Sequence, residues 1–418
     1  MKTILAFFPL LALPGLTAAQ EADCLCRNDL AFVYDEMQKL PSYKDQIEGQ
    51  AASEYRTLYE ELQNAVDCRE TTAECFSLIS RLFIPIRDKH AGVRGVTKRF
   101  TQTDLTDSAI VADYRRSEIF LENPRVAVDL DSLHQALSNR GTEEVEGIYY
   151  YRDLIVLGLF RTAKPDSLLG VVLRSEFPLW EPGQVVFQLT EYAPNQFHSI
   201  HPGLLRRNLL FFKNETYENQ RLIETPWKKF PDRIDYHLIE EGAETFSFRT
   251  IEEGIDYLRL GDFSINRENR AKADQFYAQI KGQLKSKHLI VDLRNNSGGG
   301  NKTSKQFLKL LRSYARKGNV YLLLNRGCNS NCEIFTLTLQ RSKKVQALGL
   351  PTQGALSYGT NYGRRLPSPS GRFEFVITDM DFSQYLPYEE VGIEPDIRLD
   401  YNRDWIEQAL EIINGKND

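Results

Sequence analysis

The chain reads as an α/β protein in which a helical N-terminal part and a β-rich middle part precede a core of alternating strands and helices. Three observations give that class. Apolar residues between Cys24 and Ile86 recur at helical spacing, short runs rich in Tyr, Phe, Val and Leu occupy 104–248, and strand-like and helix-like stretches alternate from Gly254 onward. Strands separated by helices of such length imply βαβ crossovers and a mainly parallel sheet. The 418 residues are enough for about two or three domains. The expected division is a leader at 1–19, a helical domain at 20–103, a β-rich middle domain at 104–248 and the α/β domain at 249–418.

Composition narrows the possible partners. The chain is 42% hydrophobic and 26% charged, the balance of a soluble globular protein. A net charge of -5 leaves no basic footprint, so nucleic acid is not an expected partner. Met1 to Ala19 has Lys2, an apolar run from Ile4 to Leu13 and small residues Thr17-Ala18-Ala19, the pattern of a cleaved secretory signal. No later run approaches the roughly 20 apolar residues of a membrane-spanning helix, and no lipid-anchor motif accompanies Cys24. A secreted or periplasmic protein without a membrane anchor is expected.

All six cysteines lie beyond this leader, where an oxidising compartment lets them pair. Cys24, Cys26, Cys68 and Cys75 are expected to form two bridges that tie helices together, with the pairing left open. No histidine stands at zinc-ligand spacing among them, so no metal is expected. In the helical part, Ala51, Tyr55, Leu58, Leu62, Ala65 and Val66 form one stripe, and Cys75, Phe76, Leu78, Ile79, Leu82, Phe83 and Ile86 form another. A polar turn follows, Arg87-Asp88-Lys89-His90-Ala91-Gly92-Val93.

In the middle part, Gly147 to Leu159, Leu168 to Leu173 and Gln184 to Leu189 read as strands. His198 and His201 have the i, i+3 spacing of a helical metal pair, but Pro202 and the lack of neighbouring acidic ligands favour a surface or packing role. In the last part, Ile255 to Leu260, His288 to Leu293 and Val320 to Leu324 read as strands. Asn269 to Leu284, Lys302 to Arg316, Glu333 to Leu339 and Trp405 to Ile413 read as helices.

Two stretches in this core carry chemistry. Asn325-Arg326-Gly327-Cys328-Asn329-Ser330-Asn331-Cys332-Glu333 joins a strand to a helix, a junction that exposes a serine hydroxyl beside helix amides favouring negative charge. Asp292-Leu293-Arg294-Asn295-Asn296-Ser297-Gly298-Gly299-Gly300 follows the buried strand, and its glycines let backbone amides approach an oxyanion. A nucleotide loop is not expected there, because no Gly-Lys-Ser/Thr follows. Cys328 and Cys332 flank Ser330 symmetrically and suit a local disulfide, with free buried thiols as the alternative.

Together with Tyr257-Leu258-Arg259-Leu260, Gly349-Leu350-Pro351-Thr352-Gln353-Gly354 and Gly392-Ile393-Glu394-Pro395-Asp396-Ile397, these stretches resemble, in order, the motifs of one serine peptidase family. It contains the C-terminal processing (tail-specific) proteases, the tricorn core protease and the interphotoreceptor retinoid-binding protein. The resemblance covers the last two-fifths of the chain and implies a ClpP/crotonase-like βαβ superhelix. It places Ser330 on the family's nucleophile. The processing proteases pair theirs with a lysine, but that position is Ala355 here, and Arg341 stands where that branch has an aspartate.

The match is therefore closer to the tricorn-like branch, which uses a histidine from elsewhere and a glutamate before the Gly-x-x-Pro-Asp block. Asp88-Lys89-His90-Ala91-Gly92 resembles the family's Asp-x-His-Thr-Gly motif, which makes His90 the expected base. Glu389, three residues before Gly392, is the expected assisting carboxylate, with Glu390 as its alternative. The expected oxyanion donors are Gly298 or Gly299 with Asn331. The resemblance implies a peptide or protein substrate and no cofactor. A catalytically silent binding protein on the same fold is the competing expectation.

Overall fold

The computed structural model describes residues 24–97, 100–101, 103–361 and 363–415; the leader lies outside them. No helix among the described residues is long and apolar enough to cross a membrane. The expected α/β core is present as a six-stranded sheet. Its strands run in the order Ile397–Arg398, Val345–Gly349, Asn319–Leu324, His288–Asp292, Ile255–Leu260 and Phe246–Glu252. The first five are parallel and the sixth is antiparallel. Helices Arg267–Ile280, Asn301–Tyr314 and Asn331–Leu339 connect successive parallel strands, as short-loop crossovers require. Leu258, Val291, Leu322 and Ala347 lie in register across the centre and are fully buried, the pattern of a sheet covered on both faces.

The helical N-terminal part carries its cysteine bridges as Cys24–Cys68 and Cys26–Cys75. The helix Thr72–Ser80 starts at a capping box in which the Thr71 hydroxyl and the Glu74 carboxylate satisfy each other's backbone amides. The apolar stripes bury Tyr55, Leu62, Cys75, Phe76, Ile79, Leu82, Phe83 and Ile86. This core is completed from the far end of the chain. Phe373 packs on Phe76 and Phe375 on Phe83, with ring centroids 5.8 and 5.7 Å apart.

Those two phenylalanines belong to Phe373–Val376, which pairs with Gly92–Gly95 in a long antiparallel sheet. The sheet continues through Leu209–Glu218, Gln196–Pro202, Val185–Ala193, Ser167–Ser175, Ile155–Arg161 and Gly147–Tyr151. It thus takes strands from all three ranges distinguished in the sequence. Two details differ from the sequence reading. Residues 104–138 form short helices, among them Ser108–Arg115 and Leu130–Ser138, each capped by a preceding aspartate, Asp107 or Asp129. The run 147–159 is a hairpin rather than one strand, turning at Arg152 with φ of 49°. His201 is a packing residue between the Phe187 and Phe212 rings, where burial drives its imidazole down to about 3. His198 stacks on Tyr192, its Nδ1 2.7 Å from the Lys213 carbonyl.

Candidate active site

Parallel strands deliver their C-terminal ends, and the loops that follow them, to one edge of a sheet, where α/β proteins bind ligands. Here the loops after Leu260, Asp292, Leu324 and Gly349 meet at that edge. Ser330 sits between its strand and the helix Asn331–Leu339 with φ 55° and ψ -120°, a conformation disfavoured for any residue with a side chain. Such strain turns the side chain away from the sheet at a strand-to-helix elbow. The turn is held from both ends. Cys328 and Cys332 are disulfide-bonded across it, and the Asn325 Oδ1 accepts from the Asn295 and Gly327 amides at 2.9 and 3.0 Å.

The glycine loop packs directly against this turn. A Cβ at Gly298 would stand 2.6 Å from the Asn329 carbonyl oxygen and 2.9 Å from the Ser330 Cβ, so only glycine allows the approach. Gly298 is buried and its N–H donates to Asn296 Oδ1 at 2.9 Å. Gly299 is exposed, and its φ of 126° accompanies a backbone pressed against Phe263. The Asn331 side chain donates to Asn301 Oδ1 at 2.9 Å, which joins the N-termini of two helices beside Ser330. Both helix dipoles favour negative charge at that point.

Glu333 is the residue whose role the sequence reading missed. It is fully buried, and its carboxylate accepts from the Ser330, Gly354 and Ala355 amides and from the Thr352 hydroxyl, at 3.0, 2.8, 2.9 and 2.5 Å. Burial raises its carboxyl above the usual range despite these donors. The signal was present in Ser330-Asn331-Cys332-Glu333, a Ser-x-x-Glu capping pattern at a helix start.

Glu389 performs the matching task on the other side. It is fully buried and accepts from the Lys89 amide at 2.8 Å with one oxygen. Its other oxygen takes the Leu356 and Ser357 amides at 2.9 and 2.8 Å. Desolvation raises its carboxyl, and the amides oppose that rise. The loop 352–357 is therefore a shared ledge. Glu333 ties one end of it to Ser330, and Glu389 ties the other end to the residue before His90.

His90 is half-buried, on a turn shaped by Asp88. The Asp88 Oδ1 accepts from the His90 and Ala91 amides at 3.1 and 3.0 Å, and its Oδ2 accepts from the Thr378 hydroxyl at 2.7 Å. The His90 Nδ1 and the Ser357 hydroxyl are both buried without hydrogen-bond partners. Glu389 thus reaches the histidine turn through its backbone, and Glu390 is paired elsewhere, with the buried Lys213. Ala355 is buried on the ledge, its amide spent on Glu333. A cavity of about 640 Å³ opens beside the Ser330 turn, bounded by Thr216, Ile223, Glu224, Asn325, Gly327 and Gln353.

Residues 300–399, which hold the Ser330 turn, the ledge and Glu389, match the model of peptidase family S41. Solved structures similar to this chain include a putative peptidase from Parabacteroides merdae, at 13% identity over 93% of this chain and 96% of that one, TM-score 0.40. Others are a photosystem II D1 C-terminal processing protease, at 14% identity over 91% and 95%, TM-score 0.35, and the tricorn protease, at 15% identity over 94% and 37%, TM-score 0.43. No curated protein matches the chain.

Proposed function

We propose that the chain is an exported peptidase that forms an acyl-enzyme on Ser330 with His90 as general base, in a catalytic domain at 249–418 served by the helical and β-rich parts. The observation that carries this reading is the strained Ser330 at the edge of a parallel sheet, beside two helix N-termini. With Nδ1 buried, Nε2 is the imidazole atom left to take the serine proton. Ser330 Oγ attacks the scissile carbonyl, and the oxyanion falls to the amides of Gly299 and Asn331. Gly298 is the weaker candidate, since its amide already serves Asn296. His90 then returns the proton to the leaving amine, and water releases the acyl group through the same base. Glu389 holds the His90 turn in place through the Lys89 amide. Three disulfides and the leader pattern support a secreted or periplasmic setting.

The competing reading is a silent binding protein, favoured by the alanine at position 355, where the processing branch has its lysine. A fluorophosphonate probe separates the two. The mature protein is expected to label on Ser330, Ser330→Ala to abolish labelling, and His90→Ala to slow it by about 10³-fold or more. A folded mature protein that neither labels nor cleaves a peptide library would leave only the binding reading.

A further inference from the structure

Three separate parts of the chain meet at one buried carboxylate that the reaction itself does not use. Glu224, just beyond the strand Leu209–Glu218 in the middle part, has a side chain only 4% exposed. Its Oε1 accepts from Lys89 Nζ at 2.9 Å and from Arg326 Nε and Nη2 at 3.2 and 2.9 Å. Lys89 immediately precedes His90, and Arg326 stands four residues before Ser330. Both cations continue to the ledge: Lys89 Nζ donates to the Gln353 carbonyl at 3.1 Å and Arg326 Nη1 to the Thr352 carbonyl at 3.2 Å. Burial alone would raise the Glu224 carboxyl, but Lys89 and Arg326 more than offset it and hold it below the usual range.

We propose that Glu224 is a positioning residue, a bridge from the middle part that fixes the distance between the His90 turn and the Ser330 turn. The inference rests on the Ser330–His90 reading and deepens it. Lys89 is held at two points, its amide on Glu389 and its ammonium on Glu224, so its backbone cannot pivot. Arg326 is likewise fixed between Glu224 and the ledge. Two cations sharing one carboxylate that is only 4% exposed cannot separate without leaving a largely buried charge unpaired, which is costly. Proton transfer needs hydrogen-bond reach, and a displacement of about 1 Å costs on the order of 100-fold. The bridge also forms one wall of the 640 Å³ cavity, so the same residue borders the space beside the nucleophile.

The test uses the full mature chain. Glu224→Gln is expected to slow both fluorophosphonate labelling and kcat by roughly 10- to 100-fold with KM changed less than about twofold, and Glu224→Asp to recover part of the loss. Lys89→Gln, which keeps a donor toward Glu224 and removes a buried charge, provides a second variant should Glu224→Gln fold poorly. Hydrogen exchange gives a readout that does not need turnover. Glu224→Gln should speed exchange in 86–92 and 326–333 together. Wild-type labelling rates in folded Glu224→Gln, or an effect on KM alone, would overturn the proposal. So would faster exchange confined to 213–226. An unlabelled wild type would remove the peptidase reading, while the exchange pattern would still decide whether the bridge couples the two turns.

Discussion

The Ser330 turn and the His90 turn are built in opposite ways. Ser330 is shaped largely by neighbours in sequence: Glu333 three residues on, a disulfide across the turn, and Asn325 before it. His90 has one local support, Asp88, and its other anchors come from far along the chain. Glu389 lies 300 residues from Lys89, Thr378 lies 290 from Asp88, and Glu224 lies 135 from Lys89. The Ser330 turn is a property of a local motif, whereas the His90 turn is a property of how distant parts of the chain dock. Damage to the first turn should therefore unravel a rigid local unit, and damage to the second should misplace a residue that still folds.

The largest expected effect sharpens this contrast. Glu333→Ala removes a carboxylate that satisfies four buried donors and leaves a cavity beneath Ser330. A cost of about 4 kcal/mol in denaturant unfolding is expected, with loss of labelling. If the stability loss were no greater than that of an exposed substitution, the Ser330 turn would not be a self-supporting unit.

A second effect belongs to the docked side. Glu215 is fully buried beneath the bridge, where its Oε1 accepts from the Thr216 and Glu224 amides at 2.9 and 2.8 Å. Desolvation, and then the charge of Glu224, push its carboxyl up to about 7 from an ordinary 4.5. Between those values the folded state keeps a proton that the unfolded chain has released. Its contribution to stability is thus fully present below about pH 4.5 and lost as pH rises through about 7, a change on the order of 3 kcal/mol. Glu215→Gln should flatten that part of the stability profile. An unchanged slope would mean that the junction below Glu224 tolerates the charge.

What could be read in the sequence follows the same division. The parallel strands, their crossover helices, the elbow at Ser330 and the glycine loop were legible because periodicity and turn chemistry act over a few residues. The cysteine pairing in the helical part was not, since Cys24 and Cys26 could each reach either partner until the helices packed. The hairpin at Arg152 was hidden because its turn contains no glycine to mark φ above zero. Glu224 and the ledge were invisible for a stronger reason. Glu224 meets Lys89 and Arg326 across 135 and 102 positions, the ledge meets Glu333 and Glu389 across 19 to 33, and nothing in Lys89 or Arg326 alone indicates a shared partner.

The smallest effect tests the local strain itself. Ser330 keeps φ at 55° and ψ at -120° because its disulfide and Glu333 hold it there, at a cost of about 1–3 kcal/mol. Glycine accepts that conformation freely but gives the unfolded chain more entropy, worth about 0.5–1 kcal/mol. Ser330→Gly should therefore be more stable than wild type by about 1 kcal/mol, while Ser330→Ala, which keeps a Cβ in the same place, should gain nothing. Both variants lose the nucleophile, so the difference between their unfolding midpoints isolates the backbone from the chemistry. Equal midpoints would mean that the elbow stores no strain, and the nucleophile turn would then owe its shape to its anchors alone.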